Sequence, residues 1–473
     1  MKKFTFFLIT LCSIQIFSQI TMTKDSSFGN EGGFITSFNT NQIVLNSHLI
    51  VLKDQSILYL INTTDNDYIF KLKPNGTLDS NFANNGKLEF EVNNFFNAVL
   101  QGDKILVYFG PKNVVNNPFE DSKILRYHQN GTLDATFGDN GVLNEITEST
   151  NPQSLSVLVL ADQSLMVTNS NSSNAKKFTI DGQLDPSFGN NGEINYPYHF
   201  PLGQADNGKI ATCDINSLSS SIFSFYDLHS LETNTILNLN HHSCHYLNGL
   251  PLQNKNNRSS KMTHSGLVYS VFEYNNYPLP DFSRLIVMKD EHIDSNFNEN
   301  GFVTSADYEQ FLDVGFSEQQ FFVLKQKDQQ KSLIAYSSTG TSLKINGNRD
   351  FALQSGQEIE VKPTYILVNS IVQDENNLLN RVKIEKFLFQ NNNLSTSNNQ
   401  LKNVEIQNPV KDILNIKNGE LAENFEIYST DGRKILQSKN FKNINITNLP
   451  KGIYILKIRL KSGEIVSKKL MKN

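Results

Sequence analysis

The chain has 473 residues, too many for one ordinary compact core, so several domains or a repeat array are expected. A formal net charge of −5 and a pI near 6.0 exclude the global basicity of a nucleic-acid binder. With 38% hydrophobic residues, 33 Phe and 16 Tyr, wholesale disorder is excluded too.

The first element reads as an address. Met1-Lys2-Lys3 is basic, Phe4 to Phe17 is an apolar run, and polar Ser18-Gln19 follows, which is the layout of a secretory signal peptide over residues 1–19. Cleavage is expected near Ser18 to Ile20. The run is short for a membrane span, and no later stretch approaches about 18 consecutive apolar residues. The mature protein is expected to be exported, without a transmembrane segment.

A polar, glycine-studded phrase then recurs: TMTKDSSFGNEG (21–32), NGTLDSNFANNG (75–86), NGTLDATFGDNG (130–141), DGQLDPSFGNNG (181–192) and DEHIDSNFNENG (290–301). The shared pattern is D-x-x-F-x-x-x-G. Its aspartates are Asp25, Asp79, Asp134, Asp185 and Asp294, its aromatics Phe28, Phe82, Phe137, Phe188 and Phe297, and its glycines Gly32, Gly86, Gly141, Gly192 and Gly301. The Phe steps are 54, 55 and 51 residues and then 109, about two periods, so one copy has decayed near residue 242. A further step lands on Phe351. Asp bonds nearby backbone amides, the aromatic anchors the turn and Gly takes positive φ, a recipe for a pinned connection. One Asp per repeat lacks the clustered oxygens of a calcium loop, so turn formation is the economical reading.

Between copies the chain reads as short strands, for example HLIVL, SILYLIN and DYIFKLKP, with no long segment of period 3.6. A unit of about 54 residues with several antiparallel strands fits one blade of a β-propeller. The count gives about seven blades over residues 20–395. The last unit, with VKIEKFLFQNNNL, stops before any D-x-x-F, and DSSFGNEG at the mature N-terminus would supply it and close the ring. These copies resemble the delta-60 repeats of large exported bacterial proteins, and the resemblance implies the propeller. The chain has no Trp, which excludes tryptophan-marked propeller families.

The one local cluster of chemistry-bearing residues is NHHSCHYL, with His241, His242, Cys244 and His245. Imidazole with thiolate suits zinc or copper, but no second ligand pair stands at metal spacing, so a polar loop replacing the decayed repeat is preferred. Cys213 and Cys244 are the thiols left after signal removal, and in an exported protein they invite a disulfide, exclusive of a metal site. No other catalytic signature appears, so no residue is singled out as catalytic and no cofactor is expected.

An Asn-rich linker at 396–402 leads to a basic tail, 403–473, which carries +6 while the rest of the chain carries −11. Its strands are joined at Asp431-Gly432 and Ser462-Gly463, and Tyr454, Leu456, Ile458 and Leu460 alternate with polar or exposed positions, so a small Ig-like β-sandwich is expected. Asn408-Pro409, YSTDGRKIL around Asp431 and Gly432, LPKGIYILKI with Gly452 and Tyr454, and the end KKLMKN closely resemble the C-terminal sorting domain of type IX secretion cargo from Bacteroidetes-type bacteria. That resemblance implies recognition by the outer-membrane export machinery and a place outside the cell or on its surface.

The fold class expected is therefore all-β: a propeller closed by the mature N-terminus, then the sandwich. Three functions stay open: a binding protein for a glycan or protein partner, which the absent catalytic motifs favour; a polysaccharide-active enzyme with paired carboxylates in a central pocket; and a structural surface or motility component.

Overall fold

A computed structural model describes residues 19–38, 41–91, 96–109, 112–114, 117–120, 122–144, 146, 155–169, 174–195, 200–217, 220–227, 242–243, 255–263, 265–274, 281–289, 292–298, 300–373, 380–392, 405–406, 409–417, 422–429, 434–460 and 465–473. Two compact units emerge, 19–391 and 392–473. Every regular element described is a strand.

Among the described residues the larger unit holds four four-stranded sheets, one five-stranded sheet, one ten-stranded sheet and a short two-stranded pair; the ten-stranded one is divided below into sheets 6 and 7, and the fold is a β-propeller. Sheet 1 contains Val44–Val51, Ile57–Thr63, Asn66–Leu72 and Lys87–Glu91. Sheets 2 to 6 begin at Phe96, Leu155, Phe200, Lys255 and Glu309. Sheet 7 takes three strands from Glu358–Val361, Tyr365–Val372 and Arg381–Asn392, and its fourth from the chain start, β2 (Gly33–Ser37), antiparallel with Gly33 opposite Glu385 and Ser37 opposite Arg381. Just before it, β1 (Gln19–Lys24) runs parallel to Ser342–Ile345 of sheet 6 and joins Arg381–Asn392, so the N-terminal segment stitches sheet 6 to sheet 7. The first strands of sheets 2 to 7 touch in succession, the second strand of sheet 1 touches the first of sheet 2, and sheet 7 touches the first strand of sheet 1, which closes the ring. A closed ring leaves no long sheet edge for another chain to pair with.

Buried side chains from neighbouring sheets mesh into seven inter-sheet cores. A motif aromatic fills five of them: Phe28 between sheets 7 and 1, Phe82 between 1 and 2, Phe137 between 2 and 3, Phe188 between 3 and 4, and Phe297 between 5 and 6. All five rings are at most 1% exposed. Between sheets 6 and 7, Ile20 and Met22 of β1 take that role beside Ile345. Phe351, one period beyond Phe297, instead opens the fourth strand of sheet 6 opposite Leu333.

The motif's chemistry repeats with its position, in the connection between third and fourth strands. Each Asp accepts the amide two residues on, at 3.1 Å for Ser27, 3.4 Å for Asn81, 3.2 Å for Thr136, 3.1 Å for Ser187 and 3.0 Å for Asn296. In four copies a cation from the third strand reaches the same Asp and lies over the Phe ring: Lys386 with Asp25 and Phe28, Lys71 with Asp79 and Phe82, Arg126 with Asp134 and Phe137, Lys177 with Asp185 and Phe188. Arg126 shows why the ion tolerates burial. Its guanidinium donates to Asp134 (2.9 Å), Gln101 (3.1 Å), Thr136 (3.1 Å) and the Ile180 carbonyl (2.7 Å), so nearly every donor is satisfied. Hydrogen bonds from the Ser27 and Ser187 hydroxyls hold Asp25 and Asp185 below the ordinary carboxylate range; at Asp134 burial pushes upward, and Thr136 and Arg126 outweigh it.

The residue after the Phe then latches onto the next sheet. Gly29 donates to Asn75 O (2.6 Å), Ala83 to Asn130 O (2.7 Å), Gly138 to Asp181 O (2.8 Å) and Asn298 to Thr339 O (2.8 Å). The turn receiving each bond carries a glycine whose missing side chain makes room. A Cβ on Gly76 would stand 2.8 Å from the Phe28 ring, and one on Gly182 2.8 Å from Phe137, and both glycines have positive φ.

In the smaller unit, Lys434–Ser438, Ala422–Ser429, Gly452–Leu460 and Ile465–Lys472 form one antiparallel sheet in that spatial order, beside two short two-stranded pairs. Phe425, Ile427, Tyr454, Leu456, Ile458 and Leu470 are buried together with Leu414 and Ile444 of the short pairs. The Tyr454 hydroxyl donates to the Pro450 carbonyl at 2.8 Å, and Val410 NH donates to Met471 O at 2.8 Å, which ties the start of the unit to its last strand.

Because Phe28 arrives from the chain start yet packs in the core between sheets 7 and 1, Phe28→Ala should cost about 3–5 kcal/mol. Urea unfolding of the chain measures this, and a cost below about 1 kcal/mol would place the ring outside the cooperative core.

Candidate functional site

A ring of first strands places side chains from distant parts of the sequence around one space. A cavity of about 670 Å³ opens there, and Asn46, Ser47 and His48 of sheet 1, Phe96 and Asn97 of sheet 2, Ser259 to Lys261 of sheet 5, Leu312 and Asp313 of sheet 6, and Glu358 of sheet 7 line it, with Lys331 from the third strand of sheet 6. A β-bulge accompanies the polar position in three of these strands, between Val44 and Asn46, Asn257 and Ser259, and Phe311 and Asp313. The extra residue in a bulge re-aims side chains, which brings polar groups to the ring interior. A second cavity of about 590 Å³ is walled mainly by the turns after the first strands, including Leu160, Gln163, Ala205 and Thr263, and has few charged groups.

Two charge pairs stand in the first cavity. His48 contacts Glu358 through Nδ1, and the other Glu358 oxygen accepts from Asn369 Nδ2 at 3.0 Å. Asn369 is held in turn by the Tyr59 hydroxyl at 2.7 Å and by the Ser47 carbonyl and hydroxyl. Lys261 donates to Asp313 Oδ2 at 3.2 Å and to the Ile359 carbonyl at 3.0 Å. Asp313 also accepts from Ser259 Oγ at 2.5 Å, from Val314 NH at 2.8 Å and from Ile359 NH at 2.7 Å. Asp313 is thus saturated by four donors, and each Glu358 oxygen is engaged by one.

Burial disfavours charge on His48, yet the Glu358 carboxylate outweighs it and lifts the imidazole above its ordinary range. Burial likewise opposes ionisation of Glu358, and His48 with Lys261 reverses that, leaving the carboxyl below its usual range. Lys261 is pushed down by burial but raised on balance by Asp313, Glu360 and Glu358. The cluster is a charged network that orients its own members.

Of the residues singled out from sequence, the D-x-x-F-x-x-x-G set lies in the connections between third and fourth strands, and none of it lines this cavity. His242 has only its backbone described, in a two-residue strand of sheet 4, and His241, Cys244 and His245 lie outside the described residues. Cys213 is paired by its backbone with Phe200 and Phe223, and its side chain lies outside the described set, so neither the metal nor the disulfide pairing is addressed. Among the described residues, no three His, Cys, Asp or Glu side chains gather as metal ligands. In the tail, Pro409 is exposed, Gly452 begins the third strand of the sheet's spatial order and Tyr454 is buried, while Asn408, Asp431 and Gly432 lie outside the described residues.

Residues 408–473 match the secretion system C-terminal sorting domain family, and residues 112–137 match a β-propeller family described as a domain of unknown function. The chain therefore joins a β-propeller to a type IX sorting tail, and that tail marks it for export to the cell surface or beyond. No curated protein matches the sequence. Among solved structures, the chain is similar to virginiamycin B lyase from Staphylococcus aureus, at 8% identity and TM-score 0.42, over 75% of this chain and 99% of that one. It is also similar to Drosophila Plexin A in complex with Semaphorin 1b, at 7% identity and TM-score 0.42, over 74% of this chain and 86% of the other. A third is prolyl oligopeptidase B from Galerina marginata, at 11% identity and TM-score 0.37, over 91% of this chain and 55% of that one. At such identities a likeness carries nothing about activity.

The His48–Glu358 pair has a defined pH signature. With the imidazole raised, its stabilisation is full below the unfolded-state midpoint and is lost as pH rises through the folded one; with the carboxyl lowered, the Glu358 contribution is lost as pH falls through its own folded midpoint. Titration of the His48 ring by NMR should give a midpoint above the ordinary 6.5, and His48→Gln should flatten the alkaline side of the stability profile. A midpoint at or below 6.5 would contradict the geometry.

Proposed function

We propose that the exported chain is a seven-bladed, delta-60-type propeller that binds a glycan or protein partner at the cavity described, with a glycan favoured, and that residues 403–473 form an Ig-like sorting domain read by the type IX machinery. One observation carries the binding assignment: the Asp313 carboxylate is already saturated by Lys261, Ser259 and two backbone amides, and both Glu358 oxygens are engaged, by His48 and Asn369. A general acid or base must exchange protons with substrate, and groups so committed are poorly disposed to do so. Amide and hydroxyl groups around them suit the hydroxyls of a sugar.

The His48 imidazole, fixed by a carboxylate and facing the same cavity, supports a second reading in which the propeller acts on a polysaccharide. A melting-temperature screen of the mature chain against neutral and acidic oligosaccharides tests both, since a ligand that binds only the folded state raises the melting temperature with occupancy. The expected result is a shift with at least one sugar class, lost in Asn97→Ala, with no products released. Release of shortened fragments would favour the enzyme, and a flat response to all sugars would remove the glycan.

A further inference from the structure

Resting on the glycan reading, the cavity's unspent hydrogen-bonding capacity points to the charge of its ligand. Asn46 uses its carboxamide oxygen to accept the Ser47 amide at 2.9 Å, and Asn97 uses its own to accept the Ala98 amide at 2.8 Å. Because only the oxygen of an amide side chain accepts, these bonds also fix which atom is nitrogen. Both NH2 groups are left as donors without a protein acceptor among the described residues, one on sheet 1 and one on sheet 2. Across the same space, Lys331 contacts the Gln326 carboxamide and forms no ion pair among the described residues. The cavity thus has its carboxylates neutralised and a surplus of donors, one of them cationic. Burial alone pushes Lys331 below the ordinary lysine range, with no neighbouring carboxylate to relieve it.

A ligand matching this set carries a negative charge for Lys331 and oxygen acceptors on more than one side for the two amides. We infer that the cavity takes a carboxylate-bearing sugar, a uronate-type unit of an acidic glycan, with Lys331 receiving the carboxylate and the Asn46 and Asn97 side-chain amides receiving hydroxyl oxygens. A sugar ring presents oxygens around its whole edge, whereas an extended acidic peptide would need backbone partners along one direction. The carboxylate replaces water around a half-buried ammonium, and charge-assisted hydrogen bonds of this kind are about twice as strong as neutral ones.

The test is calorimetry on the full mature chain with two probes of equal length, an oligogalacturonate and the corresponding neutral oligogalactose, at low ionic strength, since salt screens the ion pair. The acidic probe should bind at least about tenfold more tightly, as one charged hydrogen bond predicts. Lys331→Gln should abolish that preference while leaving the neutral probe within about twofold, Lys331→Arg should largely keep it, and Asn97→Ala should weaken both probes alike. Equal or tighter binding of the neutral sugar overturns the uronate inference and leaves the glycan reading standing. Absence of binding by both sugars overturns both readings, and a polyglutamate peptide that binds in their place with the same Lys331 dependence identifies an acidic protein segment instead. If Lys331→Gln melts far below wild type, the Lys331→Arg and Asn97→Ala comparisons decide: loss of the acidic preference in Lys331→Arg, or an unchanged affinity in Asn97→Ala, contradicts the inference.

Discussion

The structure depends on one repeated bond, the backbone N–H after the motif phenylalanine donating to a turn carbonyl of the neighbouring sheet. A four-stranded meander has two apolar faces and is marginal alone, so each sheet must be held against the next at a set spacing. The latch sets that spacing: the aromatic enters the core beside it, the glycine opposite makes room, and the Asp–cation pair fixes the turn from which both project. In a ring the constraint also binds the start of the unit, because the last sheet meets the first and residues near the chain start complete that interface. Asp25 and Phe28 reach Lys386 and the core between sheets 7 and 1, and β1 and β2 supply the missing strands.

Rigidity of that ring is what gives the cavity chemical meaning. Side chains on sheets 1, 2, 5, 6 and 7 meet there although hundreds of residues separate them in sequence. Two kinds of buried charge stand apart by what they serve. Those of the motif are paired within one turn or with the adjoining strand and serve packing, as with Arg126 and Asp134. Those of the cavity are paired across sheets, Lys261 with Asp313 and His48 with Glu358, and beside them stand the Asn46 and Asn97 amide donors, which no described protein group accepts. Unspent donors on a rigid scaffold are what recognition of a polar ligand requires.

The architecture was legible because its signal is local. Asp, Phe and Gly fall within eight residues in each copy, and a turn needs those residue types in that order whatever surrounds it. The cation eight positions before the Asp, at Lys71, Arg126 and Lys177, obeys the same period but alternates between Lys and Arg inside a strand, so it reads as ordinary surface charge. At Asp25 the partner is Lys386, from the other end of the propeller, and no spacing could reveal it. The cavity was not legible at all. Asn46, Asn97, Asp313 and Lys331 follow no shared motif, and only ring closure brings them together, while the side chains of the His241–His245 cluster lie outside the described set.

The most direct measurement of the latch is native-state hydrogen exchange at the amides of Gly29, Ala83, Gly138 and Asn298. All four lie in turns, where amides ordinarily exchange through local opening. If these bonds hold the ring together, the four amides will open only with the propeller as a whole, with protection equal to that of the central strands. Exchange at the rate of the surrounding turns would contradict the account, because the sheets would then be held by side-chain packing alone.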